Sequence, residues 1–325
     1  MPKSILLTGS TGFVGTNLVK SLTLKSDYIV KSVVRHAINK DDELFFEVGD
    51  INASSDYMQA LNNTNIVIHC AARAHVMDDN EAEPLALYRE VNTAGTINLA
   101  KQAIDLGIKR FIFISSIKVN GEASILEKPF FAGDPHAPQD DYGLSKSEAE
   151  LQLMELAKDS DMEVVIIRPT LVYGPGVKAN FASLMGLVAK GIPLPFGCIT
   201  NNKRSLVSVD NLVDLIITCI DHPKAANQVF LVSDDHDIST SEMVREMAIA
   251  LNKPAWQLPV PVWCYKLAGK LFNKSAVVDR LTGSLQVDIS HTKDTLGWRP
   301  PQSLRDGFKQ TAEAFLHSKK NSGKA

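Results

Sequence analysis

Ser4-Ile-Leu-Leu-Thr-Gly-Ser-Thr-Gly-Phe-Val-Gly15 places an apolar strand, a glycine turn and a helix start in immediate succession at the head of the chain. Gly9 permits a tight turn, Gly12 lets backbone pass close to a pyrophosphate, and Gly15 lets the helix pack on the strand. The phosphates then meet a helix N-terminus, where unpaired N–H groups and the helix dipole favour negative charge. Thr11, Phe13 and Val14 complete this expected nucleotide-phosphate cradle. The spacing is Gly-x-x-Gly-x-x-Gly, which displaces the first glycine by one residue from the common dinucleotide fingerprint. Asn17 to Leu24 continues as a helix, and Tyr28 to Val34 reads as a second strand.

The pattern repeats through the first half. Apolar, β-branched runs lie at Ile5 to Leu7, Ile29 to Val34, Phe45 to Val48, Ile66 to Ala71, Phe111 to Ile114 and Val164 to Ile167, separated mostly by helix-length segments. Strands buried on both faces of a parallel sheet read this way. Right-handed crossovers then predict an α/β fold, a Rossmann-type doubly wound parallel sheet with its ligand at the carboxyl ends of the strands. After Pro169 the alternation weakens, and Tyr173-Gly-Pro-Gly176 and Gly191-Ile-Pro-Leu-Pro-Phe-Gly197 interrupt it. The expected division is a nucleotide-binding domain over 1–169, to which some later segments return, and a smaller mixed α/β substrate lobe over 170–316. Residues 317–325 lack apolar side chains after His317, apart from the terminal Ala325, and are expected to fray.

Composition excludes several classes. With 325 residues, 45% hydrophobic, the chain can fill one large core or two ordinary ones. A net charge of −3 offers no basic field for nucleic acid. Cys70, Cys198, Cys219 and Cys264 are scattered without paired spacing, so reduced structural thiols and no metal site are expected. No signal peptide and no 18-residue apolar stretch is present, which points to a cytoplasmic protein without a membrane span.

Residues at the strand ends carry the chemistry. The second strand ends in Arg35, whose guanidinium can pair with a 2′-phosphate and so favours NADP(H), with NAD(H) possible; an ordinary surface arginine is the other reading. Asp50, followed by Ile51, ends the third strand, and its carboxylate either meets an adenine amino group or caps a turn. Phe111-Ile-Phe-Ile-Ser-Ser116 is a strand that terminates in hydroxyls, and Tyr142-Gly-Leu-Ser-Lys146 opens a helix with the phenol and the amine on one face. The amine is expected to lower the phenol's pKa from about 10, so that Tyr142 exchanges a proton with a substrate oxygen held by Ser116. Tyr-x-x-x-Lys alone recurs by chance; its company with the glycine turn and the strand-end serine is the signal.

The chain resembles the extended short-chain dehydrogenases/reductases of the nucleotide-sugar epimerase/dehydratase family over nearly its whole length. The matching motifs are Thr8-Gly-Ser-Thr-Gly-Phe-Val-Gly15, His69-Cys-Ala-Ala72, Val91-Asn-Thr-Ala-Gly-Thr96, Ser115-Ser116, Tyr142-Gly-Leu-Ser-Lys146 and Arg168-Pro-Thr-Leu-Val-Tyr-Gly-Pro175. The resemblance implies Ser116, Tyr142 and Lys146 as the catalytic triad, with Tyr142 and Lys146 also touching the cofactor. It implies Ala71, Ala72 and Pro169 as further cofactor contacts, and Asn92 as a residue that fixes the site's geometry. In the second lobe, Asn180 and Arg204 match contacts to a sugar-nucleotide diphosphate, and Arg280 matches a second arginine. Phe196 either covers a uracil ring or anchors its loop.

Departures from the family pattern narrow the reaction. Ile117 and Lys118 stand where sugar-nucleotide dehydratases carry an acidic pair, which argues against dehydration, and Asn120 replaces the tyrosine of a common turn. Val172-Tyr-Gly-Pro-Gly-Val-Lys-Ala-Asn-Phe181 and Gly283-Ser-Leu-Gln-Val-Asp288 look most like bacterial enzymes of surface-polysaccharide synthesis. That resemblance implies a 4-ketoreductase making UDP-N-acetylquinovosamine or UDP-N-acetylfucosamine, with a UDP-sugar 4-epimerase as the alternative and a non-catalytic NAD(P)-sensing protein as the minor one. A homodimer is expected.

Overall fold

The computed structural model describes residues 2–36, 44–74 and 83–322. Its strands, in chain order, are β1 (Lys3–Thr8), β2 (Tyr28–Val34), β3 (Phe45–Glu47), β4 (Ile66–His69), β5 (Arg110–Ile114), β6 (Glu163–Pro169), β7 (Leu171–Tyr173), β8 (Arg204–Ser208), β9 (Gln228–Val232) and β10 (Asp237–Ile238). Seven of them form a wholly parallel sheet in the order β3-β2-β1-β4-β5-β6-β9. A small mixed sheet, β10-β8-β7, serves the second lobe.

The apolar runs form this sheet because both of its faces are covered. Ile5, Leu7, Ile112 and Ile167 point into a layer with Leu18, Leu22, Leu212 and Leu215, while Leu6, Val67, Phe111 and Ile166 point the other way onto Leu99, Ala103 and Leu153. A strand with water on one face would alternate instead. The predicted α/β class and doubly wound sheet are therefore observed.

Some boundaries differ from the sequence reading. The first helix spans Phe13–Thr23, starting before Asn17, because the extended Gly12 caps it directly after the turn. The fourth strand stops at His69 and not at Ala71, since the chain leaves the sheet there to pass beside Gly9. Beyond residue 169, β9 pairs with β6 and the helix Val209–Asp221 packs on the main sheet, so later chain covers an edge that would otherwise be open. The helix Leu304–Ser322 continues past His317, with Phe308 and Ala312 fully buried in the second-lobe core, and positions 323–325 lie outside the described residues. No helix among the described residues is long and apolar enough to cross a membrane.

Candidate active site

β1 and β4 are neighbours, yet their onward connections run to opposite sides, so a crevice opens at their carboxyl ends. The glycine turn lies in it. Gly9 has φ +72°, and a Cβ there would fall 2.7 Å from the backbone nitrogen of Ala71, so both conformation and contact require glycine. A Cβ on Gly15 would lie 2.0 Å from the carbonyl oxygen of Gly9. Gly12 and Thr11 are exposed, and the helix Phe13–Thr23 has no side-chain cap on its first N–H groups. A ligand phosphate fits such a terminus. Ala71 borders the turn, Phe13 and Val14 follow it half-buried, Ala72 is half-buried after Ala71, and Ile51 lies against Gly95.

Arg35 and Asp50 follow β2 and β3 and face each other, with Arg35 Nε 3.2 Å from Asp50 Oδ1. Both are largely exposed. The guanidinium singled out for a 2′-phosphate therefore already meets the Asp50 carboxylate.

Ser116, Tyr142 and Lys146 are brought together. Ser116 follows β5 in extended conformation, and its Oγ accepts a 3.2 Å hydrogen bond from the Lys118 backbone. The helix Asp141–Lys158 starts at Asp140, whose Oδ1 accepts from the Gly143 nitrogen at 2.7 Å, and this cap sets Tyr142 in the first turn. Tyr142 hydrogen-bonds Ser116 and meets Tyr88 edge-on at 6.2 Å between ring centroids. Lys146 is buried; its Nζ donates to the Ile114 carbonyl at 2.9 Å and stands 4.3 Å from the Phe113 ring centroid.

The electrostatics correct one expectation. Burial, reinforced by the Asp140 carboxylate, pushes Tyr142 up to about 12 although the Ser116 hydrogen bond acts downward. The expected lowering by Lys146 is not among these effects, and burial pulls Lys146 itself down to about 8. At neutral pH the site thus holds a protonated phenol.

Lys146 also leaves a pH signature. Its folded-state pKa of about 8 lies below the ordinary 10.5, so between those values the unfolded chain binds more protons and stability rises with pH. Below that window both states are protonated and the penalty is complete. Urea unfolding should show the native chain gaining roughly 2 kcal/mol on Lys146→Met between pH ~8 and ~10. A constant difference would mean that the ammonium is solvated.

Asn92 lies in a π-helical turn, Arg89–Ala94. Its side chain accepts from the Arg73 nitrogen at 2.8 Å and donates to the Arg73 carbonyl and Ser145 Oγ, each at 3.0 Å, tying the segment after β4 to the helix Asp141–Lys158. Pro169 is buried at the end of β6.

In the second lobe Arg204 and Arg280 come together. Arg204 donates to the Arg280 carbonyl at 2.8 Å, and burial together with the Arg280 charge lowers its proton affinity. Two like charges so placed invite an anion. Asn180 is exposed in the first turn of the helix Ala179–Val188, and Phe196 is half-buried against the second-lobe core, the loop-anchor position.

Several residues that shape the site were assigned no role from sequence. Lys118 pairs with Asp140 and, at 3.0 Å, with Glu122, which lies 4.0 Å from Arg280. This chain of charges links the cap of the catalytic helix to the arginine pair. Asn120 accepts from Arg168 at 2.9 Å, which accounts for its presence at the turn. Arg168 and Glu150 form a buried ion pair, with Nε 3.0 Å from Oε1, and Ser115 also donates to Glu150. A charged residue ending a buried strand, and a glutamate four positions after Lys146, were the available signals. His69 is fully buried between Thr8 at 2.6 Å and Thr96 at 2.9 Å, and burial pulls its pKa down to about 3.

Comparison with known proteins agrees with this geometry. Residues 5–233 match the NAD dependent epimerase/dehydratase family. A Vibrio cholerae protein named UDP-glucose 4-epimerase is 81% identical, covering 98% of this chain and 97% of its own. An Escherichia coli O157:H7 protein named N-acetyl-alpha-D-glucosaminyl-diphospho-ditrans,octacis-undecaprenol 4-epimerase is 30% identical, covering 99% and 98%. The crystal structure of UDP-glucuronic acid 4-epimerase from Bacillus cereus in complex with NAD shares the fold, with a TM-score of 0.76 at 20% identity, covering 97% of this chain and 99% of that one.

Proposed function

The chain belongs to the NAD dependent epimerase/dehydratase family, and within it we propose a 4-epimerase that inverts C4 of a hexose carried on UDP. The observation that carries this reading is the 81% identity, over 98% of the chain, to a protein named UDP-glucose 4-epimerase. Reduction of a 4-keto sugar, the first expectation from sequence, has less support. It leaned on Arg35 as a mark of NADP, and Arg35 already faces Asp50 at 3.2 Å. The family description and the NAD-bound neighbour favour NAD.

The residues present suit that cofactor. Gly9, Gly12 and Gly15 would leave room for its diphosphate at the helix terminus, Arg35 and Asp50 would hold its adenosine end, and Lys146 and Tyr142 would hold its nicotinamide end. When bound, NAD supplies an acceptor that takes a hydride from C4 and returns it to the other face. Tyr142, once it has lost its own proton, would take the proton from the C4 hydroxyl as phenolate and later give it back, while Ser116, its hydrogen-bond partner, would hold the same oxygen. Arg204 and Arg280 grip the diphosphate, so the sugar can turn over without the carrier leaving. A homodimer belongs to this reading: the helix Asp141–Lys158 leaves Leu151 exposed beside a cleft of about 740 Å³ lined by Arg89, Glu148 and Gln152.

The test needs no reductant. Purified chain with NAD and either UDP-glucose or UDP-galactose should yield the same mixture of C4 epimers by NMR, starting from each side, with no net change at the NADH absorbance. The N-acetylated pair is run in parallel. Turnover only of a 4-keto-6-deoxy UDP-sugar, with one reduced cofactor oxidised per product, would overturn epimerisation in favour of reduction.

A further inference from the structure

The segment from Pro254 to Phe272 carries four aromatic residues, Trp256, Trp263, Tyr265 and Phe272, and the structure leaves all but Tyr265 largely exposed. Trp256, Trp263, Leu267, Leu271, Phe272 and Val277 are each more than half exposed. The helix Val262–Leu271 has a single buried residue, Gly269, where a Cβ would come 2.8 Å from Val278 of the next helix, Ser275–Thr282. That close approach fixes which side of the helix faces the protein. Trp263, Leu267 and Leu271, at i, i+4 and i+8, then form one outward apolar stripe. A cluster of this size exceeds the scattered apolar residues of an ordinary surface.

Charge selects the occupant. Residues 247–278 contain four lysines, Lys253, Lys266, Lys270 and Lys274, and no aspartate or glutamate, in a chain whose net charge is −3. All four lysines are exposed, and Lys266 and Lys270 neighbour the apolar stripe on the same helix. A second copy of this chain meeting the face about a twofold axis would oppose lysine to lysine. An anionic lipid surface meets both features at once: its acyl boundary takes the Trp and Leu side chains, and its headgroups take the ammonium groups.

We propose that the helix Val262–Leu271, with Trp256 and Phe272 at its flanks, is an interfacial helix that seats the protein on an anionic bilayer without crossing it. The adjoining helix carries Arg280, whose carbonyl holds Arg204 at 2.8 Å, so the docked face continues into the diphosphate-binding end of the second lobe. The inference rests on this surface and not on the identity of the sugar.

Full-length chain is mixed with vesicles of phosphatidylglycerol and phosphatidylethanolamine, or of phosphatidylcholine alone, and sedimented. Binding is expected to the anionic vesicles, to fall steeply at high salt, and to shift tryptophan emission to the blue as Trp256 and Trp263 enter the interface; Trp298 is already buried. Lys266→Glu with Lys270→Glu, and separately Leu267→Asp with Leu271→Asp, should weaken vesicle affinity roughly tenfold or more while leaving turnover of soluble UDP-sugar unchanged. A circular-dichroism melt checks that each variant is folded. Wild-type chain that stays in the supernatant, or folded variants that sediment like wild type, would overturn the proposal. So would analytical ultracentrifugation showing that the substitutions split an oligomer in the absence of lipid. Turnover without vesicle binding defeats this inference alone, and vesicle binding without epimerisation defeats only the epimerase reading.

Discussion

Tyr142→Phe should lower turnover by roughly 10²- to 10⁴-fold, the usual worth of a positioned acid/base group, while NAD binding stays within a few-fold of normal. The substitution keeps the ring that packs against Tyr88 and removes only the oxygen that hydrogen-bonds Ser116. The direction of the burial effect sharpens the expectation. A phenol pushed up to about 12 is protonated at neutral pH, so removing a proton from the C4 hydroxyl requires positive charge nearby to make phenolate accessible. Lys146→Met should weaken the cofactor as well as turnover, whereas Tyr142→Phe should leave affinity alone. Steady-state kinetics with isothermal titration of NAD separates the two. Near-normal turnover by Tyr142→Phe, in a step shown to be chemically limiting, would remove Tyr142 from the reaction.

Glu150→Ala should destabilise the fold by about 3–5 kcal/mol, the range for stranding one partner of a buried ion pair. Glu150 and Arg168 side chains are each 2% exposed, so the guanidinium left behind finds no water. The remaining contacts of Arg168, Asn120 at 2.9 Å and His136 at 2.6 Å, are neutral; Arg168 donates to His136 Nε2, and burial with the Arg168 charge keeps that imidazole below its ordinary pKa. Replacing both partners with apolar residues, Glu150→Leu with Arg168→Met, should recover most of the loss, because no charge is then buried. Urea denaturation of the single and double variants measures this directly. A loss below about 1 kcal/mol for Glu150→Ala would mean that the pair is solvated in the native protein. The same network fastens the helix bearing Tyr142 and Lys146 to the ends of β5 and β6, through Ser115 and Arg168.

Much of the site was legible before any coordinates because its signals are local. Gly9, Gly12 and Gly15 answer to backbone geometry within one turn, and the contacts at Ala71 and at the Gly9 carbonyl match what their spacing required. Tyr142 and Lys146 share a face through helical periodicity, and β1, β2, β4, β5 and β6 showed themselves as apolar runs because both faces of their sheet are covered. Arg35 shows the limit of such reading. Its position at a strand end is a local fact, but the Asp50 carboxylate 3.2 Å away arrives from the next strand.

Sequence alone therefore determined the architecture, the glycine turn and the grouping of Tyr142 with Lys146 on one helix face, each encoded in short-range periodicity and spacing. Only the tertiary structure decided the electrostatic state of that group and the partners of its neighbours. The Lys118 contacts to Asp140 and Glu122, the burial that raises Tyr142 and lowers Lys146, and the pairing of β9 with β6 all join residues distant in the chain. The exposed stripe of Trp263, Leu267 and Leu271 belongs with them. Hydrophobic spacing tells which side chains share a face but not whether other chain packs against that face.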